Sequence, residues 1–209
     1  FMSLPSAVSI MTIPMVVTNF VQMMVSGRIK SVILRHWRLF IGLFIGLPIG
    51  VFMLSAVDTQ YLLIAVGVFL MFIATLEITG ISFSFLGTRE NLYGPLIGLV
   101  AGIIGGITTL YGTLPVFFFI ALGLEKDDFV SAVSVMLFGG SIFLLLSLQS
   151  MDFLKPTEIA YSVIGLIPLF AGMWVGTKVR GRIPQATFKK FVLILVALIG
   201  VIMIYRALF

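Results

Sequence analysis

The chain has 209 residues, of which 60% are hydrophobic and only 10% are charged, and its formal net charge is +5. Soluble proteins average about 45–50% apolar and about 25% charged residues, so a soluble globule of this composition would expose far too much apolar surface to water. The sequence contains no cysteine and one histidine, which excludes disulfides, thiolate metal sites and a multi-histidine metal centre. We therefore expect an all-α polytopic membrane protein embedded in a lipid bilayer. Its basic excess is expected in cytoplasmic loops and not at nucleic acid, because aromatic residues do not alternate with the basic ones.

Apolar segments long enough to cross the hydrocarbon core, about 20 residues each, recur along the chain. The predicted spans are 5–24, 39–54, 61–76, 92–111, 129–148, 157–177 and 187–208. A basic loop at 28–38, which contains His36, separates the first two spans, and Glu77 is expected at the end of the third. After the fourth span, a Gly-Thr-Leu-Pro break leaves only about ten apolar residues before Glu125, too few for an ordinary span. This spacing predicts a broken or re-entrant helix pair.

An internal repeat is visible in the sequence. The hexapeptide SAVSIM at 6–11 recurs as SAVSVM at 131–136, and a pair of glycines matches at nearly the same offset, Gly46 and Gly50 with Gly172 and Gly176. We predict a single membrane domain, 1–209, built from a first repeat at 1–78 and a second at 92–209. The first copy lacks the N-terminal hairpin of the second, and we expect that element to precede Phe1.

Charge predicts how the two copies are oriented. The loops at 28–38 and 178–190 are rich in lysine and arginine, whereas their counterparts in the other copy, near 151–156 and Asp58, are not. Basic loops mark the cytoplasmic side, so both basic loops are predicted to be cytoplasmic and the two copies to be inverted. Inverted repeats are common in secondary transporters.

Flexible and polar residues cluster at the predicted helix break. The candidate substrate-binding residues there are Gly105, Gly106, Thr108, Thr109, Tyr111, Gly112, Thr113 and Pro115. Helix packing through small residues explains Gly98 and Gly102 well but this cluster less well. Irregular backbone at membrane depth is tolerated where protein buries it or where it lines an aqueous cavity, and free N–H groups at a half-helix end can bind a small anion.

A second polar cluster lies in the first span. Asn19 and Gln22 are three residues apart, which places them on one helical face, and Ser131 and Ser134 occupy the equivalent face in the second copy. Two roles stay open for these side chains, interhelical hydrogen bonding and contact with a substrate. No carboxylate pair with acid–base spacing lies within a span, so we expect no enzymatic activity, and we predict neither a metal nor another cofactor.

The second copy contains AGIIGGITTLYGTLPVFFFIALGLEKDDF, SAVSVM and VRGRIPQATFKKFVLILVALIGVIMIYRAL, and the first contains IPMVVTNFVQ and GLFIGLPIG. With these segments the chain resembles the sulfite exporter TauE/SafE family. That resemblance implies a membrane protein of two homologous halves that moves small sulfur-containing anions such as sulfite and sulfonates. One departure is the turn from Tyr111 to Pro115, which stands where the family often has a Gly-Gly-Pro turn.

We therefore expect a secondary permease for a small anion, sulfite or an organosulfur anion, that works by alternating access at the repeat interface in a bacterial inner membrane. A homo-oligomer or a larger membrane complex is compatible with this expectation. The alternative is a non-transporting integral subunit or scaffold of a larger membrane complex, which would tolerate an incomplete first repeat.

Overall fold

The computed structural model describes residues 3–79 and 89–180, together with 194, 198, 200–202 and 205. In this part of the chain all regular secondary structure is helical. The helices are α1 (Leu4–Ser26), α2 (Ile29–Ala56), α3 (Thr59–Thr79), α4 (Glu90–Thr108), α5 (Thr113–Ala121), α6 (Lys126–Ser150) and α7 (Pro156–Arg180). By length and apolar composition, α1, α2, α4 and α6 can each cross a membrane. The predicted all-α membrane architecture is confirmed.

The helices form two compact units. The first comprises Phe1–Ala56 and Phe83–Gly165, and the second comprises Val57–Ser82 and Leu166–Phe209. In the second unit, α3 buries Leu62, Val66 and Leu70. A Cβ on Gly200 would lie 3.1 Å from the Gly67 carbonyl oxygen, so the backbone at Gly200 packs closely on α3. This division follows packing, whereas the predicted repeats at 1–78 and 92–209 follow sequence likeness, and those repeats stay a prediction.

In the first unit, α2 and α4 run parallel with their backbones in contact. Both helices have glycine at every fourth position along the contact: Gly42, Gly46 and Gly50 on α2, and Gly98, Gly102 and Gly106 on α4. A Cβ on Gly102 would lie 2.8 Å from the Cα of Gly46, and one on Gly50 would lie 2.9 Å from the Cα of Gly106. Only glycine permits this approach, and Cα–H groups then face carbonyl oxygens of the other helix. We call this contact the glycine seam.

The two segments that share the repeated hexapeptide, in α1 and α6, pack antiparallel. The Ser131 hydroxyl, near the start of α6, donates to the Ser26 carbonyl at the end of α1 over 2.9 Å. At the opposite end, the Ser9 hydroxyl donates to the Phe153 carbonyl over 3.0 Å. Antiparallel packing of matched segments is what inverted copies require. It does not test the other helices, so the inversion stays a prediction.

The predicted basic loop at 28–38 was wrong. The connection after α1 is only Gly27 and Arg28, both with positive φ, and α2 begins at Ile29. Nothing between Lys30 and Arg38 stops a helix, because this stretch has neither glycine nor proline and lysine, arginine and leucine all favour helix. The one local departure is a kink at His36, with φ −104° and ψ 17°. His36 is buried by protein and does not lie in an exposed loop.

Two further predictions concern charged residues near helix ends. Glu77 lies in the last turn of α3, as predicted. In the second basic loop, Lys178 and Arg180 belong to the last turn of α7, whereas 181–190 lie outside the described residues.

The glycine seam leads to a prediction about stability. Gly102→Ala places a methyl group against the rigid backbone of α2, so we expect a cost of about 1–3 kcal/mol, or a fall in Tm of about 5 °C for a chain of this size. Gly165→Ala in α7 is the matched control, because no described atom lies within 4 Å of its Cβ position. Thermal unfolding in detergent, followed by circular dichroism, compares the two variants. Equal Tm values would contradict the glycine seam.

Candidate functional site

The chain breaks its helix between α4 and α5 and turns back. Thr109 adopts the left-handed conformation with φ 69°, and its N–H donates to the Gly105 carbonyl over 2.7 Å. The Thr108 hydroxyl accepts the Leu110 N–H over 3.0 Å, which closes the end of α4. The nine residues of α5 extend about 13 Å, less than half of the hydrocarbon thickness. The predicted break is confirmed, but it lies at residues 109–112 and not at 112–115, because Thr113 already begins α5.

Contacts near the two ends of α4 show the direction in which α5 runs. A Cβ on Gly105, near the end of α4, would lie 2.8 Å from the Cα of Tyr111, whereas one on Gly94, near its start, would contact the Phe118 ring at 3.9 Å. α5 therefore runs back along α4 towards the end at which α4 began. We call α4, the turn 109–112 and α5 the hairpin, and residues 109–114 its tip.

Tyr111 anchors the tip to α6. Its side chain is completely buried, and its hydroxyl donates to the Leu137 carbonyl over 2.8 Å. The ring fits because Gly105 and Gly140 lack side chains, and a Cβ on Gly140 would lie 2.5 Å from the ring carbon Cε2. Leu137 is near the midpoint of α6, which places the anchor deep within the helical bundle.

Asn19 joins the same cluster from α1. Its Nδ2 donates to the Leu137 carbonyl over 3.2 Å, and the Tyr111 hydroxyl lies 3.5 Å away. Two donors, one from α1 and one from the hairpin turn, thus meet on one carbonyl oxygen. The structure brings together two residues that the sequence singled out separately, one in the first span and one at the helix break.

The tip also presents backbone N–H groups. Among the described residues, the amides of Tyr111, Gly112 and Leu114 have no backbone or side-chain acceptor. They lie at the N-terminal end of α5, where the helix dipole is positive. Thr109, Gly112 and Thr113 are partly exposed. Unpaired donors at a positive helix end are suited to a small anion and need no buried arginine.

The other predicted site residues lie elsewhere or serve the fold. Gly106 belongs to the glycine seam, and Pro115 is buried in α5. Ser134 is buried and donates to the Val130 carbonyl of its own helix over 2.7 Å. Ser131 is bonded to the end of α1, as described above, and Gln22 is exposed. None of these residues contacts the hairpin tip through a hydrogen bond in the described structure.

Two contributors to this cluster were not among the predicted site residues. The Leu137 carbonyl accepts both polar side chains, and Gly140 makes room for the tyrosine ring. The adjacent glycines at 139 and 140, inside an apolar span, were a signal that another group approaches α6 at that point.

These features define a class, an α-helical polytopic membrane protein with a re-entrant hairpin that ends at a cluster of polar groups. A family model described as "Sulfite exporter TauE/SafE" matches residues 1–203, and the chain belongs to this family. Membership implies a membrane exporter of sulfite or a related anion, in a family of transporters and not of enzymes. The chain has no significant match among curated proteins or solved structures.

The anchor at Tyr111 leads to a second prediction about stability. Tyr111→Phe removes one hydrogen bond and is expected to cost about 1 kcal/mol, whereas Tyr111→Ala also leaves a cavity and is expected to cost about 3–5 kcal/mol. Tyr61→Phe is the control, because that side chain is 65% exposed. The free energy of unfolding in detergent is measured for all three variants. If Tyr111→Ala destabilises the protein no more than Tyr111→Phe does, the tyrosine ring does not anchor the tip.

Proposed function

We propose that this chain is a secondary transporter that moves sulfite or a small organosulfur anion, and that the anion binds at the hairpin tip. The observation that carries the proposal is the set of backbone N–H groups at Tyr111, Gly112 and Leu114, which have no acceptor in the described structure and lie at the N-terminal end of a half-length helix. Family membership supports the class of substrate.

The chemistry of the tip favours an anion over a cation. The Leu137 carbonyl is occupied by two donors, so it is not available as a ligand for a cation. The tip offers the three amide N–H groups and the hydroxyls of Thr109 and Thr113, which can also donate, at the positive end of the α5 dipole. The oxygen atoms of sulfite or of a sulfonate group can accept several such hydrogen bonds at once.

The proposed mechanism is alternating access, in which the groups around the tip face first one side of the membrane and then the other. Antiparallel packing of α1 and α6 supports it, since inverted copies can exchange roles between two states. The end of the helical bundle that holds Arg28, Lys30, Arg35 and Arg38 is proposed to be cytoplasmic, because basic residues accumulate on that side. The membrane is proposed to be a bacterial inner membrane, which rests on the family alone.

A flux assay tests the site. Purified protein is reconstituted in liposomes loaded with sulfite, and efflux is followed with sulfate or a small sulfonate as competitor. We expect Thr113→Val to weaken the apparent affinity about tenfold or more, the value of one hydrogen bond to a charged group, and Asn19→Ala to slow transport by loosening the tip. Gly106→Leu is unsuitable here, because it would disrupt the glycine seam.

Thr75→Val is the matched control, since it makes the same change in α3, where the Thr75 hydroxyl donates to the Met71 carbonyl. It should transport like the wild type. Folded protein that moves none of the three anions would overturn the proposed function. If Thr113→Val and Asn19→Ala both transport at the wild-type rate, the anion does not bind at the tip.

A further inference from the structure

The opposite end of the hairpin holds a buried titratable group. His36, at the kink of α2, is only 4% exposed, and its Nδ1 lies 3.0 Å from Oε1 of Glu90, the first residue of α4. The ring meets Phe119 of α5 edge-on, with centroids 5.0 Å apart. Three helices therefore converge on one imidazole, which is the only one in the sequence.

The pairing of His36 with Glu90 is close but incomplete. Although the two atoms lie within contact distance, Nδ1 makes no properly directed hydrogen bond with any described residue. A buried polar nitrogen without such a bond carries a free-energy cost. A neutral ring can offer the carboxylate one N–H from Nδ1, whereas a protonated ring adds a positive charge that attracts the carboxylate more strongly.

Other charged groups face this pair and act on the charges of His36 and Glu90. Arg35, on the same helix, lies 3.7 Å from Oε2 of Glu90 and competes with His36 for the carboxylate. From α6, Asp128 also acts on His36, but Arg28 is bonded to it at 2.5 Å. Arg38 and Asn91 line a small crevice at the same place, and the Glu90 side chain is 29% exposed.

We propose that His36 and Glu90 form the proton-binding site of this transporter, and that proton uptake is coupled to anion movement through α5. This inference rests on the proposed function. Histidine is the side chain that changes charge between about pH 5 and 8, and ionisable groups placed within membrane helices commonly serve as proton relays.

The coupling route is a single short helix. α5 is nine residues long, with Phe119 against His36 at the base and Thr113 at the tip. Phe118 and Phe119 are almost completely buried, so a change in the position of the imidazole is transmitted to a packed helix and not to a flexible loop. Protonation of His36 at the base of the hairpin therefore changes the position of the anion-binding amides at the other end of α5.

The single histidine allows a test that needs no transport. Protein labelled with ¹⁵N-histidine, purified with a tag that contains no histidine, gives the imidazole signals of His36 alone. At a fixed pH between about 6 and 7, adding a sulfonate, which does not itself titrate there, is expected to raise the protonated fraction of His36. Glu90→Gln is expected to abolish that change, and Glu125→Gln, at an exposed site at the start of α6, is the matched control. An imidazole that stays in one form from pH 5 to 8 would overturn the proposal.

Flux measurements form the second arm. An imposed pH gradient is expected to change sulfonate flux about tenfold, within the range typical of coupled binding, and His36→Gln is expected to remove that dependence. Flux that ignores the gradient in wild-type protein would overturn proton coupling while leaving the proposed function intact. No flux under any condition would overturn the proposed function, and the histidine signal would then still show whether anion and proton binding are linked.

Discussion

The direct contact between the backbones of α2 and α4 is the constraint on which the first unit depends. Two consecutive glycines at the end of α4 have different partners, since Gly106 packs on α2 while Gly105 accommodates Tyr111 of the returning chain. One helix turn thus serves a helix–helix contact on one side and the hairpin on the other. Because the glycine seam sets the register of α4, it also sets how deep in the membrane the helix break lies.

The donors at the tip are backbone amides and uncharged side chains, and this has an electrostatic reason. A fixed arginine or lysine within the hydrocarbon region would cost several kcal/mol, whereas backbone amides are present in any case and become available wherever a helix is interrupted. Asn19 and Tyr111 both donate to the Leu137 carbonyl, so this acceptor is already occupied. The anion site proposed above therefore needs no net charge of its own, which suits an anion that must leave as readily as it enters.

The sequence predicted the membrane class and a helix break after the fourth span, because apolar length, glycine and proline act locally, and it singled out Asn19 and Tyr111 as candidate binding residues. It did not predict that residues 29–38 are helical or that His36 is buried, since neither glycine nor proline marks the kink at His36. The sequence also could not predict that the Leu137 carbonyl is an acceptor. A helix carbonyl carries no sequence signal, and only the packing of α1 and the hairpin on α6 shows that it takes two further donors.

Strong and weak contacts are distributed unevenly in this structure, and that restricts how it can move. The glycine seam joins two backbones along several turns, so α2 and α4 behave as one body and cannot slide without overlapping atoms. By contrast, the α5 part of the hairpin is attached at its tip by neutral hydrogen bonds worth about 1 kcal/mol each, and near its base Phe119 packs edge-on against the His36 ring. A change of access on the millisecond scale requires breaking contacts of the second kind. In the proposed mechanism the moving part is therefore α5, together with α1 and α6 at its tip. The two helices of the glycine seam stay fixed. Because α5 moves against them, an anion bound at one end of α5 and a proton bound at the other can affect each other's binding.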